Sequence, residues 1–287
     1  MFRRLALALA AVGLLAAPAL AEDEPIPVKP EILPRRHLFE PLIADPRWPH
    51  FSAAWHDHGG HDDLSNVAAV SLGDGFSFLQ APVDTDTLGT GTIGIGLQAA
   101  VFAIFDLDAP SSDLVNADYL VALPLQWRHG PFSAMVRLYH QSSHLGDEFL
   151  LRTGTQRVNL SYEAVDLKLS WYAYDDLLRI YGGGGWLVHR DPGDLKPGLA
   201  QIGIELRAPW RFANERLRPI AAIDLQSAQA WDWEVDTSTR LGVELESDSD
   251  RHYVLQLTLD YFNGRNPNGQ FYTTSTEFWG VGIHAYF

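Results

Sequence analysis

The chain has 287 residues, with 36 acidic against 21 basic side chains, a formal charge of −15 at pH 7 and no cysteine. The missing cysteine excludes a disulfide framework, thiol chemistry and a lipoprotein anchor. Acidity without a cluster of bases argues against nucleic acid, because such a chain repels phosphate.

The first residues have the three parts of an export signal: a basic start at Arg3 and Arg4, an apolar stretch from Leu5 to Leu15, and the small-residue site Ala19-Leu20-Ala21 before Glu22. Residues 1–21 are therefore expected to be a signal peptide. The proline-containing segment 22–46 is expected to be a periplasmic tail or a plug, and 47–287 one domain. Beyond residue 21 no run approaches eighteen consecutive apolar residues, so any membrane crossing must be made by strands. With 24 Gly, 9 Trp, 10 Tyr and 14 Phe, the composition suits an antiparallel transmembrane β-barrel whose strands are apolar on one face only.

Strand patterns follow in order. Arg47 to Trp55 and Val67 to Phe78 are the first two candidates, but a strand ending at Phe78 leaves Leu79 to Gly91 as a long connection. Thr92 to Phe105, Val115 to Trp127, Phe132 to Ser142, Val158 to Tyr172 and Leu178 to His189 come next. Gly182 to Gly185 are no phosphate loop, since no lysine follows; they allow close packing or bending of the wall. Further on, Ile202, Ile204 and Leu206 face away from Glu205 and Arg207, Ala221, Ile223 and Leu225 from Asp224, and Leu241, Val243 and Leu245 from Arg240 and Glu244. Charges therefore point to the lumen. In Arg251 to Phe262 the apolar row runs from Tyr253 to Tyr261, a tyrosine at each membrane interface. The last strand, Glu277 to Phe287, carries Trp279, Val281, Ile283, Ala285 and Phe287 on one face.

The expected fold is all-β, an antiparallel barrel of about twelve strands, with ten as the alternative. Placing Phe287 in the periplasm puts the long connections Ser143 to Arg157, His189 to Lys196, Gln226 to Asp236 and Asn263 to Thr276 outside. The shorter ones, such as His129-Gly130-Pro131, then fall inside, as barrels of this kind require. The terminal strand resembles that of Gram-negative outer-membrane barrels, which the barrel-assembly machinery reads. The resemblance implies an outer-membrane location and contact with outer-membrane lipids, and is compatible with a homodimer.

On the strand rising from Gly130, Phe132, Ala134, Val136 and Leu138 share one face, and period two carries that face on to His140 and Ser142 at its outer end. On the next strand Val165, Leu167, Leu169 and Trp171 share a parity with Glu163, Ser161 and Asn159. An acid or amide thus lies beside an imidazole and a hydroxyl, the parts of nucleophile, base and orienting group. This hairpin resembles outer-membrane lipid hydrolases, the phospholipase A and lipid A deacylase barrels, which carry a His-x-Ser pair on the lipid-facing side. There the third group comes from the neighbouring strand. The resemblance implies Ser142 as nucleophile on an acyl ester of phospholipid or lipid A, His140 as base, and Glu163 or Asn159 as orienting group. Ser143 departs from the asparagine that follows the serine in those enzymes. The run Tyr139 to Glu148, with Leu42 to Phe51, also resembles a family of exported barrels known as a domain of unknown function.

Polar residues are also common where a strand leaves the hydrocarbon, so an interfacial belt is the competing reading of this site. Asp147 and Glu148 offer oxygen ligands to Ca²⁺ or form a solvated loop. His56, His58 and His61 with Asp57, Asp62 and Asp63 suit a zinc or copper site, but Gly59-Gly60 favours a flexible hydrophilic loop. A pore or a passive structural barrel is the functional alternative to an enzyme. If the last strand is an assembly signal, Phe287→Ser lowers the amount in outer-membrane fractions far more than Phe271→Ser does, as immunoblotting would show.

Overall fold

The computed structural model describes residues 29–34, 36–59, 64–85, 89–214, 216–246 and 253–287. The expected signal peptide lies outside them, as do His61, Asp62 and Asp63 of the histidine-rich segment.

Twelve antiparallel strands close into a barrel. They are β2 (Phe51–Asp57), β3 (Asn66–Thr85), β4 (Gly89–Asp106), β5 (Asp113–His129), β6 (Phe132–Leu145) and β7 (Ser161–Ala173), followed by β8 (Leu178–Asp191), β9 (Gly198–Arg207), β10 (Leu217–Ala228), β11 (Val235–Glu246), β12 (Val254–Arg265) and β13 (Ser275–Tyr286). Each pairs with its neighbours in sequence, and β13 closes the ring on β2, with Ala285 opposite Phe51 and Trp279 opposite Asp57. Closure leaves no edge whose backbone groups would have to be desolvated in lipid. A short strand β1 (Glu31–Ile32) pairs with Gln80 and Leu79 of β3, beyond the point where β2 leaves off.

Alternation sorts the side chains. Leu123, Leu125, Val136, Leu138, Leu167, Leu169, Leu257, Leu259 and Val281 are exposed on the outer wall. Together they form a continuous apolar band far larger than a water-soluble protein carries. The band marks this as an outer-membrane barrel. One end carries helix α1 (Asp147–Thr153) and the one-turn 3₁₀ segments at Gln229–Trp231 and Gly269–Phe271. The other end makes tight connections at β5–β6 and β7–β8. The elaborated end is the outer one.

The long connection expected from Leu79 to Gly91 does not exist. Strand β3 continues to Thr85, opposite Gly89 of β4, after a register shift between Ser77 and Leu79. This bulge puts Phe78 and Leu79, adjacent in sequence, both on the exposed surface. The alternation in the sequence therefore stops at Phe78 although pairing does not. At the start, β2 begins at Phe51 and runs through Asp57.

Residues 38–50 lie inside the barrel. Leu42 and Ala44 are completely buried, and Phe39, Ile43, Trp48 and His50 nearly so. This stretch has no regular secondary structure, so its backbone groups need partners from the wall. The amides of Leu38 and Phe39 donate to Gln126 Oε1 at 3.0 Å, and the Ile43 amide donates to Glu205 Oε1 at 2.8 Å. Arg179 donates to the carbonyls of Pro41 and Glu40 at 2.7 and 2.9 Å, and Arg240 to that of Ile43 at 2.5 Å. Phe39, Leu42 and Trp48 pack with Met135 and Tyr181 of the wall. Tyr181 crosses above Gly203 to give its hydroxyl to Asp224 at 2.6 Å, and a Cβ on Gly203 would meet its ring carbon at 2.2 Å.

Lumen charges of both signs meet in pairs between strands. Arg137 holds both oxygens of Asp166 at 3.0 and 2.5 Å, Arg179 meets Glu205 at 3.3 Å, Arg207 meets Glu244 at 3.4 Å and Arg240 meets Asp260 at 3.7 Å. Arg179 joins the internal segment to the wall, and both it and Glu205 are 0 % exposed. Arg179→Ala leaves the buried Glu205 carboxylate with the Ile43 amide and, as its cation, only the more distant Arg207 at 3.6 Å among the described residues. The expected loss is about 3–5 kcal/mol, read as a lower urea midpoint for unfolding from vesicles.

Candidate active site

The outward face of β6 presents Val136 and Leu138 to lipid, then His140, Ser142 and His144 beyond them. Inward residues of the same strand, Arg137, Tyr139, Gln141 and Ser143, are buried. Ser142 thus points the same way as His140, two residues on, about 7 Å along a strand.

Register places Glu163 of β7 directly opposite His140. Its Oε1 lies 2.8 Å from His140 Nδ1, with the two side chains 42 % and 41 % exposed. An ionised carboxylate only accepts hydrogen bonds, so in this contact His140 Nδ1 is the donor, and in a neutral imidazole Nε2 would then be the acceptor. The arrangement places a carboxylate-bound imidazole on the outward face of the wall, two residues from a serine. Among the described residues no hydrogen bond joins Ser142 to His140.

The other candidates are placed elsewhere. Asn159 precedes β7 and donates its side-chain amide to Asp191 Oδ2. Of Glu163 and Asn159, it is Glu163 that contacts His140. Asp147 and Glu148 open α1, exposed in its first turn, where carboxylates complement the helix dipole. Arg152, in the last turn of α1, ties it to Asp113 at 2.7 Å and Asp106 at 2.6 Å. In the described part of the histidine-rich segment, His56 is within β2 rather than in a hydrophilic loop, and His56 and His58 stack on Phe278 at 4.1 and 5.0 Å. Among the described residues no three His, Asp or Glu side chains are placed to hold a metal ion.

Two supports of the site are not visible in linear spacing. One is His189, whose Nδ1 lies 2.8 Å from the second Glu163 oxygen. The other is the β12–β13 connection, which crosses the mouth of the barrel to the site strands. Gln270 Nε2 donates to the carbonyls of Ser143 and Val158 at 2.9 and 2.8 Å, and its Oε1 accepts the Val158 amide at 2.9 Å. The amides of Gly269 and Gln270 donate to Asp118 and Asn116 of β5 at 3.0 and 3.1 Å. Ser143 is thereby occupied: its amide donates to the Leu160 carbonyl at 3.0 Å and its hydroxyl to Asn116 at 3.1 Å. It points inward, away from the lipid-facing pair. No local signal marks Gln270, because its partners are more than a hundred residues away.

A cavity of about 210 Å³ lies in the outer half of the lumen, with Asp45, Arg137, Lys168, Asp224 and Gln226 among its lining residues. It is separated from Ser142 by the barrel wall, since Tyr139 and Gln141 line it from the opposite face of β6.

The sequence profile of a family described as "Protein of unknown function (DUF1207)" matches residues 15–287. No curated protein matches the chain by sequence. Among solved structures, the outer membrane phospholipase A from Escherichia coli is similar, with 14% identity, a TM-score of 0.53, and coverage of 84% of this chain and 92% of that one. The Salmonella typhi outer membrane phospholipase, solved as a dimer with bound calcium, has 11% identity, a TM-score of 0.52, and coverage of 84% and 93%. At this identity the likeness is one of fold.

Gln270→Ala removes three hydrogen bonds that brace the backbone behind the site. At about 1 kcal/mol each, the loss is expected to raise amide exchange at Ser143 and Val158 while the barrel keeps its heat-modifiable gel shift.

Proposed function

We propose, for a chain that belongs to the DUF1207 family, that this outer-membrane barrel is a serine hydrolase of outer-leaflet lipid acyl esters. The observation that carries the reading is the His140–Glu163 contact at 2.8 Å, on the lipid-facing wall and on the same face as Ser142. A serine hydroxyl is a weak nucleophile near neutral pH and needs a base in reach. In this reading His140 Nε2 takes the Ser142 proton as Oγ attacks the ester carbonyl. It then returns that proton to the departing alcohol, leaving an acyl-serine. Water, deprotonated by the same nitrogen, releases the fatty acid and restores the hydroxyl. Glu163 keeps Nδ1–H pointed toward itself throughout and stabilises the imidazolium.

Likeness of fold to phospholipase barrels supports this choice of substrate class. Calcium and a dimer enter through the similar Salmonella typhi structure. Asp147 and Glu148 on α1 are the oxygen donors we propose for Ca²⁺. Export on residues 1–21 and recognition of the last strand by the barrel-assembly machinery belong to the same proposal.

One observation favours the competing reading, a non-enzymatic barrel with an interfacial polar belt: Ser142 and His140 are not hydrogen-bonded. Catalytic contacts are often long without substrate and tighten when it binds, so we rank the hydrolase first. The pore reading is weakened by the chain segment and ion pairs that occupy the lumen.

The test is release of fatty acid from phospholipid and lipid A, with and without Ca²⁺. His140→Ala and Ser142→Ala are expected to lose about 10²–10⁴-fold in rate and to keep the folded gel shift. Glu163→Gln should lose less, and Asn159→Ala should match wild type. Fatty-acid release by Ser142→Ala equal to wild type would sink the assignment.

A further inference from the structure

Glu163 is held from two sides. His140 Nδ1 lies 2.8 Å from its Oε1 and His189 Nδ1 lies 2.8 Å from its Oε2, so one carboxylate bridges two imidazoles from two different strands. His189 reaches this position through an irregularity in β8. Trp186 and Val188 are exposed on the outer wall and Leu187 is buried, so strict alternation would send residue 189 into the lumen. The pairing of β7 with β8 shifts by one at this point, with Ala164 opposite Leu187 and Glu163 opposite His189. Val188 is the extra residue. The bulge turns His189 outward, onto the face that Glu163 shares with Val165 and Leu167. Bulges re-aim side chains in this way.

We propose that His189 is a positioning residue, holding Glu163 in the conformation in which its other oxygen receives the His140 Nδ1 proton. A glutamate side chain has several rotatable bonds and, held at one oxygen only, would share its orientations with water. Held at both, it presents one oxygen to His140 and fixes that imidazole as the Nδ1–H tautomer, with Nε2 free toward Ser142. The His189 side chain is 81 % exposed, so it is not there to fill a core. Its catalytic consequence rests on the hydrolase reading, whereas its control of the His140 tautomer stands apart from it.

Full-length protein in lipid nanodiscs, with ¹⁵N-labelled histidine, reads the tautomer directly, and fatty-acid release reads the consequence. Wild type is expected to show His140 as a single Nδ1–H tautomer, and His189→Ala a mixture of the two. His189→Asn, whose amide nitrogen stands near the place of Nδ1, should restore the single form. In turnover, His189→Ala should lower kcat by about 10-fold, inside the 10²-fold that a 1 Å misplacement costs. KM should stay unchanged, because His189 is assigned no contact with substrate, and His189→Asn should recover most of the rate. An unchanged His140 tautomer in His189→Ala overturns the proposal, as does an asparagine variant no better than alanine. If wild type releases no fatty acid, the hydrolase reading fails, and the tautomer comparison still decides the role of His189.

Discussion

Everything in this molecule depends on the requirement that no backbone amide or carbonyl face hydrocarbon unpaired. Closure of β13 on β2 meets it, and it forces every residue of the wall to point either to lipid or to the lumen. The apolar band and the buried ion pairs are two sides of one strict alternation. The same constraint acts on residues 38–50, which run through the lumen without regular structure. Their backbone groups are met by Gln126, Arg179, Glu205 and Arg240, so the interior charges serve both to cancel one another and to hold this segment.

The wall also keeps two chemistries apart. On its inner side, between Arg137 and Gln141, β6 faces a cavity above the internal segment. On its outer side the same few residues carry His140 and Ser142 at the upper margin of the apolar band. A long acyl chain lying against Leu138 and Val165 would bring its ester to the level of those two side chains without leaving the membrane. Under the proposed hydrolase reading such a site needs no pocket, because the bilayer already aligns the substrate, and the protein's part is to orient a base. Glu163 contacts His140, with His189 on its far side and the Gln270 connection bracing the strand from behind.

Departures from alternation are few and placed where they matter. At Ser77–Leu79 a bulge lets a long strand continue beyond the reach of β2. At Val188 another turns a histidine from lumen to lipid. Each costs one unpaired residue and changes which side of the wall the rest of the strand addresses.

The sequence by itself determined the barrel, the sorting of apolar and charged faces, and the outward row from Val136 to Ser142. These follow from a period of two residues, which any strand must obey and which is visible locally. The placing of Glu163 on the same face as the histidine was legible for the same reason. Only the tertiary structure decided that Glu163 contacts His140 while Asn159 is held by Asp191, because that depends on register between strands. It alone decided that β3 passes its bulge, that His56 and His58 stack inside the wall, and that His189 joins the site. Bulges break the period that made the rest readable, and contacts such as those of Gln270 join positions that only ring closure brings together.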